Sequence, residues 1–169
     1  MTYAYRNSSG DIVGLSIEER TLEEAQTKNP DIASVDPSPS QADLDTFELG
    51  VALAAEKRRK FAAIDARTDE LIRLGFTYSG KQFSLSIESQ MKMVGAHAAR
   101  NEPAMTYPII WNTLGDEGTY SIVDANDLNG FYLTGVGTLR ALLDSGTALK
   151  DQIRQATTLA EVEAVTDSR

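Results

Sequence analysis

The chain has 169 residues, a formal charge of -9, 41% hydrophobic and 24% charged residues, and no cysteine. The acidic balance argues against nucleic-acid binding, where Lys and Arg supply most of the affinity for phosphate. No apolar run approaches the ~18 residues of a membrane span, and without cysteine there are no disulfides and no thiolate metal sites.

In chain order, the opening MTYAYRNSSGDIVGLS reads as a β-hairpin. Tyr3 and Tyr5 on one side and Ile12, Val13 and Leu15 on the other flank a Ser-Ser-Gly turn, with Gly10 supplying a positive φ. No basic region followed by an apolar one precedes it, so no signal peptide is expected. Ser16 with Glu19, or Thr21 with Glu24, has capping-box spacing for a short acidic helix that Asn29-Pro30 would end. Asp31 to Ser40 (DIASVDPSPS) holds Pro37 and Pro39 among serines and reads as a linker. Residues 1–40 thus form a hairpin, short helix and linker, an attachment element.

Leu44 to Leu74 reads as one long helix capped by Ser40, and residues 41–75 are assigned to it. Phe61, Ile64, Thr68 and Leu71 alternate steps of three and four and line one face of its second half. The first half, Leu49-Gly50-Val51-Ala52-Leu53-Ala54-Ala55, is apolar all round and should be covered on most sides. Either the C-terminal part folds over it, or another chain does.

Residues 76–169 read as an α+β module. Gly75 stands at a helix C-cap position, and Phe76, Tyr78, Phe83 and Leu85 surround Ser79-Gly80 as a second hairpin. Ser86 and Ser89 open a helix through Met91, Val94 and Ala98 that stops before Pro103. A third hairpin turns at Gly115 to Gly118. Asp124 and Asp127 cap a helix from about Leu128 to Ala156, with Leu133, Val136, Leu139, Leu142, Leu143, Leu149 and Ile153 as its apolar positions. Gly135, Gly137 and Gly146 each cost ~1 kcal/mol in a helix interior, which weakens this reading and leaves room for a break there. Thr158 with Glu161 starts a last helical turn or two. Local antiparallel pairs alternating with helices make the class α+β.

No residue pattern declares a chemistry. His97 has no second imidazole and no nucleophile near it, and reads as structural. The segment from Asp124 to Gly130 (DANDLNG) lacks the fifth-position oxygen ligand and sixth-position glycine of a calcium loop, which leaves helix capping. Gly135 to Arg140 (GVGTLR) lacks the third glycine and the parallel strand of a dinucleotide loop. Lys57-Arg58-Arg59-Lys60 points around the helix in all directions and reads as a salt-bridged face, with Glu56–Lys60 one such pair. No catalytic, cofactor or metal site is therefore expected. The anomaly is the apolar helix half, and Phe47, Leu49, Val51 and Leu53, with Tyr3 and Tyr5 of the hairpin, are the candidate interface.

Three segments in order, Arg67 to Gln90, Trp111-Asn112-Thr113 and Leu149 to Val165, carry a resemblance. With Gly75, Phe76, Tyr78, Gly80, Phe83, Trp111, Thr157, Thr158 and Leu159 at the motif positions, Lys57 to Val165 resembles a domain family found at the C-terminus of bacteriophage tail and tail-fibre-associated proteins. The opening hairpin (Tyr3, Tyr5, Asn7, Gly10, Ile12) likewise resembles the start of small phage fibre-associated proteins. Leu114 to Tyr120 departs from the family pattern as a longer glycine-containing turn. The resemblance implies no enzymatic activity. It implies a structural or adaptor protein of the virion tail, made in the host cytoplasm, acting as a homo- or hetero-oligomer with other phage tail proteins. The alternative is a non-virion tail-fibre assembly chaperone.

Overall fold

A computed structural model describes residues 2–16 and 20–169. The chain divides into two compact units, Met1–Arg58 with Thr157–Leu159, and Arg59–Ala156 with Ala160–Arg169. The long helix runs through both. Small antiparallel sheets and predominant helix make the class α+β, as the sequence predicts.

In the first unit, strands β1 (Tyr3–Arg6) and β2 (Ile12–Ser16) form the predicted hairpin. Helix α1 (Leu22–Lys28) opens on the Thr21/Glu24 box, with Thr21 N donating to Glu24 Oε2 at 2.8 Å and Glu24 N to Thr21 Oγ1 at 3.3 Å. The alternative box at Ser16 involves Glu19, which lies outside the described residues. The expected linker is not loop throughout. Ser34–Asp36 forms strand β3, antiparallel to β1, so β1 is the centre of a β2-β1-β3 sheet. The prolines stand just beyond β3, at positions 37 and 39, so they remove no ladder donor from the strand itself.

Helix α2 spans Gln41–Leu74. Ser40 caps it, its hydroxyl accepting from Asp43 N at 3.2 Å. In the second unit, Ile64 and Thr68 are buried and Phe61 and Leu71 half-buried, the predicted stripe. Lys60 Nζ donates to the carbonyls of Glu163 (3.1 Å) and Val165 (2.7 Å), so this lysine holds the end of the last helix, α5 (Leu159–Ala164).

Strands β4 (Phe76–Tyr78) and β5 (Lys81–Phe83) pair around Ser79 and Gly80, whose φ of 47° and 73° are both left-handed, the geometry of a tight hairpin turn. Helix α3 (Ile87–Ala99) starts at Ser86. Strands β6 (Ile109–Asn112) and β7 (Thr119–Ile122) form the third hairpin, with a 3₁₀ turn at Leu114–Asp116. Helix α4 (Ala125–Gln155) starts at Asp124, whose carboxylate accepts from Asn126 N and Asp127 N.

The core of this unit is Phe76, Phe83, Leu85, Met93, Ile122, Leu128 and Phe131. Phe131 is its centre, with the rings of Phe83, Phe76, Trp111 and Tyr78 at 4.9, 5.1, 5.1 and 5.5 Å. Trp111 itself is only half-buried, at the edge of this cluster.

Packing decides two points that the sequence left open. Helix α4 does not break at its glycines. Gly135 and Gly146 are buried on its packed side, where a Cβ would lie 3.1 Å from Met93 Sδ and 2.9 Å from Thr68 Oγ1. Close approach of the neighbouring elements offsets the helix-propensity cost. The apolar stripes are also misplaced in part: Met91 and Val94 of α3, and Leu133, Val136 and Leu143 of α4, are exposed, while Met93 and the Leu128–Phe131–Gly135 line face the core.

Asp127 ties the module together. Its Oδ1 accepts from Tyr78 and Tyr120 hydroxyls, each at 2.9 Å, and its Oδ2 from Val123 N at 3.0 Å. Burial, then the bond to Asp127, pushes the Tyr78 hydroxyl up from 10.0 to about 12. Below pH 10 both folded and unfolded chains keep this proton and the contribution is whole. Between pH 10 and about 12 only the folded chain keeps it, so stability falls as pH rises. The expected slope is about 1.4 kcal/mol per pH unit for this one proton. Urea midpoints measured from pH 9 to 12 should show that slope in the parent but not in Tyr78→Phe. Parallel curves for the two proteins would refute it.

Candidate protein-binding surface

The candidate surface lies in the first unit, where the start of α2 faces the hairpin. Arg6 of β1 sets the spacing. Its Nη2 lies 2.8 Å from Asp36 Oδ2 and 2.9 Å from Asp43 Oδ2, and its Nη1 donates to Gly10 O at 2.7 Å. The Arg6 guanidinium holds the Asp36 carboxyl below the ordinary carboxylate range; for Asp43 the Ser40 hydroxyl contributes most and Arg6 next. In return the two carboxylates push Arg6 upward. One cation therefore links β1, the last residue of β3 and the first turn of α2.

Beside this triad lies a groove of about 440 Å³. Ile12, Phe47, Gly50, Val51 and Ala54 supply its apolar lining, and Arg6, Asp11 and Asp43 its charge. Helical periodicity explains the α2 contribution: Phe47, Val51 and Ala54 follow steps of four and three, one face of the helix.

The six predicted interface residues divide. Phe47 is half-buried and Val51 is 50% exposed, both on the groove. Leu49 is 62% exposed and not among the residues lining it. Leu53 is half-buried. Tyr3 and Tyr5, by contrast, are buried, with Tyr5 packed against Ala25, Ile32 and Val35. They are core side chains of the small sheet and display no surface. The alternation of β1 put them on its inner face, where α1 and β3 supply the cover that the hairpin alone could not. Arg6, Asp36 and Asp43 were missed because nothing local in the sequence brings residues this far apart together.

Within its own unit the apolar helix half is left largely uncovered. Gly50, Ala52, Ala54 and Ala55 are exposed as well as Leu49 and Val51. Alanine and glycine carry little side-chain area, so their exposure costs less than the hydropathy of the run suggests.

The other sequence candidates have structural roles. His97 Nε2 lies 2.9 Å from Asn129 Oδ1, and its ring stacks on Tyr132 at 3.9 Å, joining α3 to α4. Asp124 is a helix cap, and Gly135 to Arg140 is helix interior. Among the described residues no group of three or more His, Asp or Glu could hold a metal ion. No helix among them is long and apolar enough to cross a membrane.

The fold is that of an α+β chain. Residues 55–167 match the family described as Domain of unknown function (DUF4376), and the chain belongs to that family. Neither a curated protein nor a solved structure matches it. The matched span agrees closely with the Lys57–Val165 resemblance, and it begins after the groove-lining part of α2.

Proposed function

We propose that this protein is a non-enzymatic structural or adaptor component of a bacteriophage tail, in the fibre, baseplate or tail tip, and that it acts by binding other tail proteins. The observation that carries the binding reading is the water-facing apolar helix segment with Leu49 and Val51 half or more exposed beside a groove. The likeness of Lys57 to Val165 to domains of phage tail proteins supports the place of action. A structureless hydrophobic stretch would not suffice for this reading. The groove is held open by the Arg6 triad on a capped helix, and such preorganisation reduces the ordering cost of binding.

Val51→Asp and Leu53→Asp are expected to abolish incorporation into particles while the family domain stays folded, because each places a charge where apolar surface is to be buried. Incorporation is read by quantitative mass spectrometry of purified virions and folding by circular dichroism. A tail component is retained at fixed copy number in parent virions. If the parent protein is absent from virions but bound to an unassembled fibre protein, the chaperone reading replaces this one. Normal incorporation of both variants would reject the α2 surface.

A further inference from the structure

Residues 165–169, beyond α5, carry no helix or strand, yet the rest of the second unit grips them at three points. Lys60 Nζ donates to Val165 O at 2.7 Å, and Arg67 Nε donates to Arg169 O at 3.0 Å. The third point is the Arg169 side chain, only 15% exposed, which bridges α2 and α4. Its Nη1 donates to Leu142 O and Ser145 Oγ, each at 3.1 Å. Its Nη2 donates to Thr68 Oγ1 at 3.1 Å and Ile64 O at 3.4 Å. Asp167, on the same segment, accepts from Nε at 2.9 Å and from Nη2 at 2.6 Å. Every N–H of the guanidinium thus has an acceptor.

The two helices offer this arginine acceptors only. Thr68 donates its hydroxyl hydrogen to Ile64 O at 2.8 Å, and Ser145 donates its own to Leu142 O at 2.9 Å. Both hydroxyls are left with lone pairs to present, and none of the four acceptors is charged. Gly146 keeps the space open: a Cβ there would lie 2.9 Å from Thr68 Oγ1 and 3.1 Å from Arg169 Nη1. The counter-ion travels with the arginine. Their mutual hydrogen bond holds the Asp167 carboxyl below the ordinary carboxylate range and pushes Arg169 upward.

We propose that Ile64, Thr68, Leu142 and Ser145 form a guanidinium-recognition site, which the chain's own Arg169 fills as a strap across α2 and α4. The ligand class is an alkylguanidinium, the end of an arginine side chain. Four acceptors spread over two helices match a planar fork of donors, whereas a lysine ammonium is a point charge with three. A carboxylate or phosphate would meet only lone pairs. Because Asp167 lies on the strap, lifting it strands no charge between the helices, the usual cost of breaking a buried ion pair. The strap is therefore a releasable clip, and an arginine presented by another polypeptide is the competitor that fits the vacated site. Every group involved belongs to the second unit and the α2 groove to the first, so this site and the proposed function stand or fall separately.

Arg169→Ala removes the side chain beyond Cβ, and ethylguanidinium is the fragment lost. The variant should melt about 5 °C or more below the parent, since charge-assisted hydrogen bonds disappear. Ethylguanidinium chloride at about 20 mM should then raise the Tm of the variant by about 2 °C or more. The parent, with its own arginine seated, should not respond, and ethylammonium chloride at the same concentration should raise neither. Arg169→Lys, which keeps the charge, should recover less than half of the lost Tm. Adding Thr68→Val to Arg169→Ala keeps the buried shape but removes an acceptor, so melting should stay cooperative and the response to ethylguanidinium should vanish. An unchanged Tm in Arg169→Ala overturns the proposal, as does full recovery by lysine. So does a missing ethylguanidinium response, an equal response to ethylammonium, or a response that survives Thr68→Val.

Discussion

Phe131→Ala is expected to lower the stability of the unit that holds it by about 3–5 kcal/mol. The side chain is fully buried and contacts aromatic rings on both hairpins, Phe76, Tyr78 and Phe83 from one and Trp111 from the other. Removing it forfeits the transfer free energy of the ring, leaves a cavity, and loses aromatic pair terms of about 0.5–1.5 kcal/mol each. Alanine's better helix propensity returns only about half a kcal/mol. The neighbours are rings anchored by strands on several sides, so the void cannot collapse cheaply. Urea unfolding followed by the single tryptophan reads the change directly. Trp111→Ala, at the half-buried edge, should cost less than Phe131→Ala, and the reverse order would show that the centre of the core has been misplaced. A loss below about 1 kcal/mol for Phe131→Ala would show the same.

Gly75→Ala is expected to destabilise by about 3 kcal/mol or more, a large effect for adding one methyl group. Two costs combine. The backbone there has φ +76°, a left-handed conformation that costs an L side chain about 1–2 kcal/mol. A Cβ would also fall 1.9 Å from Phe83 O and 2.9 Å from Phe83 C. Those are backbone atoms of the strand paired with β4, so no rotamer change relieves the overlap. The hairpin must shift, and Phe76 and Phe83 shift with it out of the core. Gly80→Ala separates the two costs, because φ is +73° with nothing within 4 Å of the added carbon. It should lose only the conformational part. Equal losses in the two variants would show that the steric contact at Gly75 is relieved by local relaxation.

Much of this fold was legible because its signals are local. Ser40, Thr21, Ser86 and Asp124 mark helix starts through hydrogen bonds that reach only two or three residues, and Ser79-Gly80 specifies a turn through φ alone. What was misread involved choosing sides. On α3 the apolar residues Ile87, Met91, Val94 and Ala98 form a regular stripe, and the ordinary inference sends such a stripe inward. The contacts instead turn Met93 inward, where it meets Gly135 and joins the core cluster that holds Phe76. On α4 the inward line runs through Leu128, Phe131, Gly135 and Gly146. Glycine registers as a helix breaker in sequence, although here it is what lets α3 and α2 approach. The strand at Ser34–Asp36 was hidden for a related reason: three residues carry almost no pattern, and their pairing with β1 is a contact across thirty or so positions.

The candidate surface divides in the same way. The unusual apolarity of Leu49 to Ala55 is a property of consecutive residues and needs no fold to be seen. Whether anything within the chain covers it, and that Tyr3 and Tyr5 are covered, depends on which elements meet. By itself the sequence determined the element types other than β3, most of their caps and turns, and an excess of apolar helix surface, because backbone propensity and capping act within a few residues. Only the tertiary structure decided which faces of those helices are buried, gathered Arg6, Asp36 and Asp43, and left one side of α3 and α4 open. Packing selects one face by fit between distant segments, and nothing in a local run of residues records what it will fit against.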